Sequence, residues 1–115
     1  MFASGRKLDN LVAIVDYNKL QAMGRSDEVT GLRPLADKWR AFGFSTVELD
    51  GHDMGALTAA LDRLPFEAER PSALIAHTVK GRGVDFMEDS LEWHYRPPTD
   101  DDLQRALKQL ESPLA

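Results

Sequence analysis

The stretch Leu11-Val-Ala-Ile-Val15 decides the fold, because it is a continuous apolar run in which three of the five residues are β-branched. A run of this kind predicts a strand that is buried on both faces, and such strands are typical of parallel sheets. Phe44–Leu49 alternates in polarity and predicts a second strand, and Ser72–Thr78 predicts a third. We therefore expect one small parallel sheet.

Helices are predicted between and after these strands, at Arg33–Phe42, at about Asp53–Leu64 and from Thr99 to about Leu110. Asp53 is placed to cap the second helix, and Thr99 with Asp102 forms a variant of the capping box at the start of the third. Strands that alternate with helices mean crossover connections. The expected fold class is therefore α/β, a parallel sheet with helices on its faces.

Composition excludes several classes of function. The length of 115 residues fits one domain, and nineteen Asp and Glu against fourteen Lys and Arg give a net charge of −5. A chain this acidic has no basic surface for nucleic acid. No apolar run approaches the roughly 20 residues of a membrane span, and Met1–Lys7 lacks the apolar region of a secretory signal. The absence of cysteine excludes disulfides and thiolate chemistry, and it agrees with a cytoplasmic location.

Candidate functional segments follow the three predicted strands, since ligands of open α/β sheets bind beyond the carboxyl ends of the strands. These segments are Asp16–Gln21, Asp50–Asp53 and Thr78–Gly83. The first opens a predicted long loop that reaches Gly31. Within it, the Asn18 side chain and the Leu20 carbonyl could share a hard cation such as Mg²⁺. The alternative is that Asn18 simply favours a turn.

The other candidates also have two interpretations each. Asp50-Gly-His-Asp53 could contain a metal or catalytic pair, or it could be a strand-to-helix turn in which Gly51 provides backbone freedom and Asp53 caps the helix. Lys80-Gly-Arg-Gly83 could cradle a phosphate or form a tight turn. His94 could serve in acid–base chemistry or be a packed imidazole at the solvent edge. His77, inside the third strand, is expected to be a hydrogen-bonded core residue.

Several segments, in order along nearly the whole chain, closely resemble transketolases. They are Lys7–Gln21, Arg25–Val29, Leu32–Gly43, Asp50–Asp53, Thr78–Glu88 and Glu92–His94. The resemblance is to the diphosphate-binding subunit of split bacterial and archaeal transketolases, in which a second polypeptide carries the pyrimidine-binding domain. It implies the parallel three-layer (α-β-α) thiamine-diphosphate-binding fold.

The resemblance also implies roles for particular residues. Asn18 matches the asparagine whose side-chain oxygen ligates Mg²⁺, and Leu20 matches the residue whose backbone carbonyl binds the same ion; Ca²⁺ or Mn²⁺ is expected to substitute. His94 matches the active-site histidine near the cofactor diphosphate and the donor sugar, where it is both a cofactor-binding and a catalytic residue. Tyr95 stands where many members have Gly, so the local backbone is expected to differ.

The reaction implied is transfer of a two-carbon ketol unit from a ketose phosphate to an aldose phosphate, as in the pentose phosphate pathway. Thiamine diphosphate supplies the chemistry, while the protein binds and orients it. The expected partners are sugar phosphates and a pyrimidine-binding transketolase subunit or domain. The complete protein is expected to be a dimer or a heterotetramer.

The family's Gly-Asp-Gly motif, which supplies a further Mg²⁺ ligand, is missing. It opens further upstream than the seventeen residues that precede Asn18, and none of those residues matches it. We therefore expect residues 1–115 to be the C-terminal part of a single diphosphate-type domain, truncated at its N-terminus. Alone, the chain is expected to be inactive and to bind the cofactor weakly or not at all. The alternatives are a non-catalytic fragment, a partner-binding α/β domain, or a fragment of a related thiamine-diphosphate synthase.

Overall fold

The helices and strands follow the predicted order, with five short additions. The structure, a computed structural model, describes residues 1–111. The helices are α1 Phe2–Gly5, α2 Ser26–Thr30, α3 Leu35–Ala41, α4 Met54–Leu61 and α5 Asp100–Glu111, with a 3₁₀ turn at Glu92–His94. The strands are β1 Val12–Tyr17, β2 Leu20–Gln21, β3 Gly24–Arg25, β4 Ser45–Asp50 and β5 Ser72–His77. The five additions are α1, β2, β3, α2 and the 3₁₀ turn.

Strand β5 is the centre of a three-stranded parallel sheet in the order β1-β5-β4. Ser72 lies beside Val12 on one side and beside Ser45 on the other. Because β5 has a neighbour on each side, its residues 72–76 are all buried. The α/β class and the parallel sheet predicted from the sequence are therefore confirmed.

Helix α3 covers one face of the sheet. Its Ala36 packs with Tyr17 and Ile75 in the core, and Trp39 meets Phe44 edge to face at 4.9 Å between ring centroids. Side chains of Leu74 and Ala76, which point to the other face, are also buried. The crossovers from β1 to β4 and from β4 to β5 run in opposite directions, so right-handed connections put α3 and α4 on opposite faces.

The helix ends follow the predicted capping chemistry. Asp53 Oδ1 accepts a hydrogen bond from the Ala56 amide at 2.9 Å and caps α4. At the start of α5, the Asp102 amide donates to Thr99 Oγ1 at 3.2 Å, and the Thr99 amide donates to Asp102 Oδ2 at 3.1 Å. This reciprocal pair is a capping box. Within residues 1–111, no helix is long and apolar enough to cross a membrane.

Two expectations about the first strand and the loop after it are wrong. Ile14 is 59% exposed, so β1 is not buried on both faces. The reason is that β1 is an edge strand of the described sheet. The region from Asp16 to Gly31 is not a plain loop, because it contains the antiparallel pair β2–β3 and helix α2. These elements are too short for hydrophobic periodicity to reveal them.

Candidate functional site

The carboxyl ends of the three parallel strands meet at one edge of the sheet. Tyr17, the last residue of β1, lies beside His77 of β5, and Asp50 of β4 lies on the other side of His77. The three segments chosen from the sequence therefore leave the sheet side by side, as expected for an α/β ligand site.

Asn18 forms a turn directly after β1. Its Oδ1 accepts a hydrogen bond from the Leu20 amide at 2.9 Å, and Lys19 between them has φ +65°. The Lys19 carbonyl accepts from the Ser26 amide at 2.9 Å, which closes the β2–β3 hairpin. Asn18 therefore forms a turn, and this turn fixes where its side chain lies.

The oxygen atoms of this turn are of the type that a hard cation binds. An amide oxygen has two lone pairs, so Asn18 Oδ1 has acceptor capacity beyond its bond to the Leu20 amide. The Leu20 carbonyl is a second neutral oxygen, two residues on. Because Mg²⁺ prefers about six oxygens in octahedral geometry, these two donors would supply part of its coordination shell.

Two open cavities meet at Asn18. The hairpin cavity, about 570 Å³, is lined by Asn18, Lys19, Arg25, Asp27, Glu28, Arg33, Thr78, Val79 and Asp89. The loop cavity, about 560 Å³, is lined by Asp16, Asn18, Gly51, His52, Thr78, Val79, Lys80, Gly81, Arg82, Val84 and Leu110. The hairpin cavity has as many acidic as basic side chains, and two of its basic residues are ion-paired within it. The loop cavity has Lys80 and Arg82 against Asp16 alone, so an anion at this edge is favoured on that side of Asn18 despite the acidic net charge.

The exit of β5 is bonded to the exit of β1. The Thr78 amide donates to the Tyr17 carbonyl at 3.3 Å, and the Thr78 hydroxyl donates to the Asp16 carboxylate. Lys19 Nζ donates to the Thr78 carbonyl at 3.1 Å and lies over the Tyr17 ring. Sequence reasoning missed these contacts, because sequence spacing does not show which side chains meet across strands.

The turn Asp50–Asp53 packs against the same exit. The Gly51 amide donates to the His77 carbonyl at 2.8 Å. A Cβ on Gly51 would lie 2.5 Å from Thr78 Cγ2, so glycine is needed here for space. The predicted reason, backbone freedom, is therefore wrong. Asp53 caps α4, so the turn interpretation is favoured over a pairing of His52 with Asp53.

The segment after β5 is a closed loop, in agreement with the tight-turn interpretation. The Asp89 amide donates to the Lys80 carbonyl at 2.9 Å, and Gly81 has φ +73° and packs on the Met87 backbone. The Gly83 amide donates to Glu88 Oε1 at 2.9 Å. The Gly83 amide is therefore occupied within the loop, and Lys80, Gly81 and Arg82 line the loop cavity.

His94 ends the 3₁₀ turn and is exposed. Its ring meets the Tyr95 ring edge on, with centroids 4.7 Å apart. The turn is held by Lys80 Nζ, which donates to the Trp93 carbonyl at 3.2 Å, and by Tyr95 Oη, which donates to the Ala22 carbonyl at 3.4 Å. His94 is not among the residues that line the hairpin or loop cavity. The structure therefore brings Asn18 and Leu20 together and leaves His94 on a neighbouring segment.

His77 is not the core imidazole that the sequence predicts. It ends β5 at the sheet edge, and 40% of its side chain is exposed. Its Nε2 lies 3.0 Å from Glu48 Oε1, and its ring meets the Tyr17 ring edge on at 5.5 Å. A strand residue at the carboxyl end can reach solvent even when the rest of the strand is buried.

Two ion pairs in the hairpin cavity were also missed. Arg25 binds Asp89 through two hydrogen bonds of 2.6 and 2.5 Å, and Arg33 lies 2.5 Å from Asp27. The hydrogen bond and charge of Asp89 raise the pKa of Arg25, and those of Arg25 lower the pKa of Asp89. The Arg25–Asp89 ion pair links strand β3 of the hairpin to the loop that follows β5. No local pattern predicts it, because the partners lie 64 positions apart.

Comparison with known proteins agrees with this geometry. Residues 1–112 match the family model described as transketolase, thiamine diphosphate binding domain. The chain is 40% identical over 111 residues to the 6-deoxy-6-sulfo-D-fructose transketolase subunit SqwG of Clostridium sp., covering 96% of this chain and 40% of that protein. It is 38% identical over 104 residues to one subunit of the apulose-4-phosphate transketolase of Phocaeicola vulgatus, covering 90% of this chain and 37% of that protein.

Solved structures agree with the fold as well. The transketolase of Campylobacter jejuni superposes with a TM-score of 0.85 at 25% identity, covering 96% of this chain and 17% of that chain. The transketolase of Pichia stipitis in complex with sedoheptulose 7-phosphate gives 0.82 at 26% identity, covering 94% and 16%. The chain spans about two fifths of the length of the Clostridium and Phocaeicola subunits. With a parallel α/β sheet, a family match over residues 1–112 and subunits of split transketolases among its relatives, this chain belongs to the transketolase family, in the region of its thiamine-diphosphate-binding domain.

Proposed function

We propose that this chain is part of a transketolase and holds the diphosphate end of thiamine diphosphate through a Mg²⁺ ion at Asn18 and Leu20. When bound, the cofactor supplies the carbanion chemistry that moves a two-carbon ketol unit between sugar phosphates. The observation that carries this proposal is the Asn18 turn. In this turn Asn18 lines both cavities at the carboxyl edge of the sheet, and its side-chain oxygen lies 2.9 Å from the Leu20 amide nitrogen; the loop cavity also contains Lys80 and Arg82.

The neutral charge of the two protein ligands supports this assignment. The amide oxygen of Asn18 and the carbonyl of Leu20 are neutral ligands, so they leave the charge of a divalent cation available to a diphosphate. Ca²⁺ and Mn²⁺ also accept oxygen ligands and would occupy the same position. Lys80 lines the loop cavity together with Asn18, and its ammonium group would attract the same anion.

His94 is proposed to contact the diphosphate and the donor sugar and to assist proton movement there. An exposed imidazole, which can both donate and accept a proton, suits that task. His94 is linked to the loop cavity through Lys80, which lines that cavity and donates to the carbonyl of Trp93, the residue before His94. Substrate contact therefore needs the 3₁₀ turn to stay beside the cavity.

The remaining parts of the active site are proposed to come from elsewhere. The Gly-Asp-Gly motif is missing from residues 1–115, and the chain spans 40% of its Clostridium relative. We propose that it acts as the C-terminal part of a diphosphate-type domain in the cytoplasm. Its partner would be a pyrimidine-binding subunit, in a dimer or heterotetramer that acts in carbohydrate metabolism. Alone it would be inactive.

The substrate is proposed to be a ketose or ketose phosphate. The relatives are named for 6-deoxy-6-sulfo-D-fructose and for apulose 4-phosphate, so members of this group differ in the sugar they process. Sugars of the pentose phosphate pathway are candidate substrates as well. The sugar would be recognised in part by residues of the partner subunit.

The proposed site is tested by titrating the ¹⁵N-labelled chain with thiamine diphosphate and Mg²⁺ and following two-dimensional NMR spectra, which detect binding even when the dissociation constant is millimolar. We expect shifts confined to residues 16–21, 78–83 and 92–95. Asn18→Ala should weaken binding about tenfold or more, as expected for loss of an interaction with a charged group. Met23→Ala, at the exposed tip of the hairpin, is the matched control and should change nothing.

Three results would contradict the proposal. Shifts that cluster away from Asn18, or equal affinity of Asn18→Ala and wild type, would remove the assigned site. Micromolar binding by the chain alone would contradict the incomplete-site part of the proposal. If affinity rises when the pyrimidine-binding subunit of a split transketolase is added, the partner assignment is supported.

A further inference from the structure

One peptide unit at the exit of β5 is held on both sides. The carbonyl of Thr78 accepts a hydrogen bond from Lys19 Nζ at 3.1 Å. The amide of Val79, which belongs to the same planar peptide, donates to His52 Nε2 at 2.8 Å. The two partners come from opposite neighbours, since Lys19 follows β1 and His52 follows β4. The plane of this peptide is therefore clamped from both sides.

The turn Asp50–Asp53 holds the His52 side chain against this peptide. The Gly51 amide donates to the His77 carbonyl at 2.8 Å, and the His52 amide donates to Asp50 Oδ1 at 2.9 Å. Asp53, the next residue, caps α4. The backbone on both sides of His52 is thus bonded to the sheet or to a helix, so the imidazole has little freedom to leave the Val79 amide.

The hydrogen bond also assigns the state of the ring. A nitrogen that accepts from a backbone amide carries no proton, so the neutral imidazole of His52 holds its proton on Nδ1. His52 therefore acts at this contact as an acceptor. Removal of the ring would leave the Val79 amide without this partner.

We propose that His52 is a positioning residue for the diphosphate site. Val79 directly precedes Lys80, and rotation of the peptide between Thr78 and Val79 would change the direction in which the chain continues. By holding that peptide, His52 fixes the start of the loop that carries Lys80, a residue that lines the loop cavity together with Asn18. This inference rests on the proposed function for its consequence in cofactor binding, but the clamp itself can be measured without the cofactor.

The test compares His52→Leu with His52→Gln in the whole chain. Leu fills similar space without an acceptor, whereas Gln Oε1 can accept from the Val79 amide in place of Nε2. We expect faster hydrogen exchange at the Val79 amide in His52→Leu, and about tenfold weaker binding of thiamine diphosphate with Mg²⁺ by NMR titration. His52→Gln should restore both to within about threefold. His77→Leu, at the same sheet edge, controls for loss of a histidine and should leave Val79 unchanged.

The outcomes distinguish the clamp from its effect on cofactor binding. Unchanged exchange of the Val79 amide in His52→Leu, or ¹⁵N shifts that place the ring proton on Nε2, would overturn the clamp. Faster exchange with unchanged cofactor affinity, while Asn18→Ala still weakens binding, would overturn the positioning role. If Asn18→Ala also leaves affinity unchanged, the proposed function has failed, and the exchange and ¹⁵N measurements alone decide the clamp.

Discussion

At the scale of single residues, Gly51 has the tightest packing requirement of the site. Its amide is bonded to the His77 carbonyl, and the space where its Cβ would lie is occupied by Thr78 Cγ2 at 2.5 Å and Ala76 Cβ at 3.0 Å. Its φ is not in the left-handed region, so the restriction is steric. The turn after β4 and the exit of β5 can approach this closely only because the residue has no side chain.

Gly51→Ala should therefore destabilise the chain by about 2 kcal/mol, the usual cost of forcing an extra methyl group into a packed site. The measurement is the free energy of unfolding from urea titration followed by circular dichroism. Gly5→Ala is the control, because a Cβ at Gly5 meets nothing within 4 Å. Equal effects of the two variants would contradict the steric explanation.

Asp102 gives a pH dependence with a definite sign. Hydrogen bonds from the Thr99 backbone and hydroxyl, followed by the charges of Arg96 and Arg105, lower its pKa below the ordinary 3.8. A carboxyl whose pKa is lowered by folding stabilises the fold above its unfolded pKa, and this contribution is lost as the pH falls through its folded pKa.

The free energy of unfolding of Asp102→Asn should thus be lower than that of wild type by a constant amount above about pH 5. This difference in free energy should become smaller below about pH 4. Urea unfolding at a series of pH values measures this difference. Asp101→Asn, one position earlier in the same helix and exposed, provides the comparison and should show a much smaller change. A gap that stays constant down to about pH 2 would rule out the ionised Asp102 as its source.

At the scale of elements, the long segments could be predicted and the short ones could not. The apolar run Leu11–Val15 and the Asp53 and Thr99 caps indicated the strands and helices of the sheet layers, because period and capping are local properties. The β2–β3 hairpin has two residues in each strand, so it carries no period. The residue type of Asn18 alone predicts its turn, but the clamp on the Thr78–Val79 peptide depends on contacts between distant parts of the chain.

Helix α5 is expected to depend on its N-terminal cap for stability, because its leucine side chains are only partly buried. Its Leu103, Leu107 and Leu110 are 47%, 43% and 56% exposed, so packing supports it less than a core helix. Thr99→Ala removes the hydroxyl that accepts from the Asp102 amide and should cost about 1 kcal/mol. Hydrogen exchange of the α5 amides should quicken in Thr99→Ala and stay near wild type in Thr99→Ser. Equal exchange in both variants would show that the hydroxyl is not the cap.

At the scale of the whole molecule, the chain exposes more surface than a compact domain of its size. Its accessible surface is 7572 Å², whereas a monomer of its mass is expected to have about 6,300 Å². Its radius of gyration is 17.0 Å, against about 13 Å for a compact domain. Ile14 on the edge strand β1 is part of this surface. An exposed apolar edge strand favours association with other chains.

We expect the isolated chain to self-associate with increasing concentration, and Ile14→Lys to reduce that association, because a charged side chain on an edge strand opposes strand pairing. Size-exclusion chromatography with light scattering measures the effect. Met23→Lys removes a more exposed apolar side chain from the hairpin tip and is the matched control. Wild-type chain that remains monomeric at all concentrations, or equal effects of both variants, would argue against association through β1.

The central position of β5 has a consequence for how the chain folds. Both strand pairs of the three-stranded sheet include β5, which is also the last of its three strands to be synthesised. Until residues 72–77 exist, β1 and β4 have no strand to pair with in this sheet. Non-local pairing of this kind slows folding and prolongs the exposure of unpaired strands. A nascent chain interrupted before β5 would therefore carry two strands whose partner in this sheet does not yet exist.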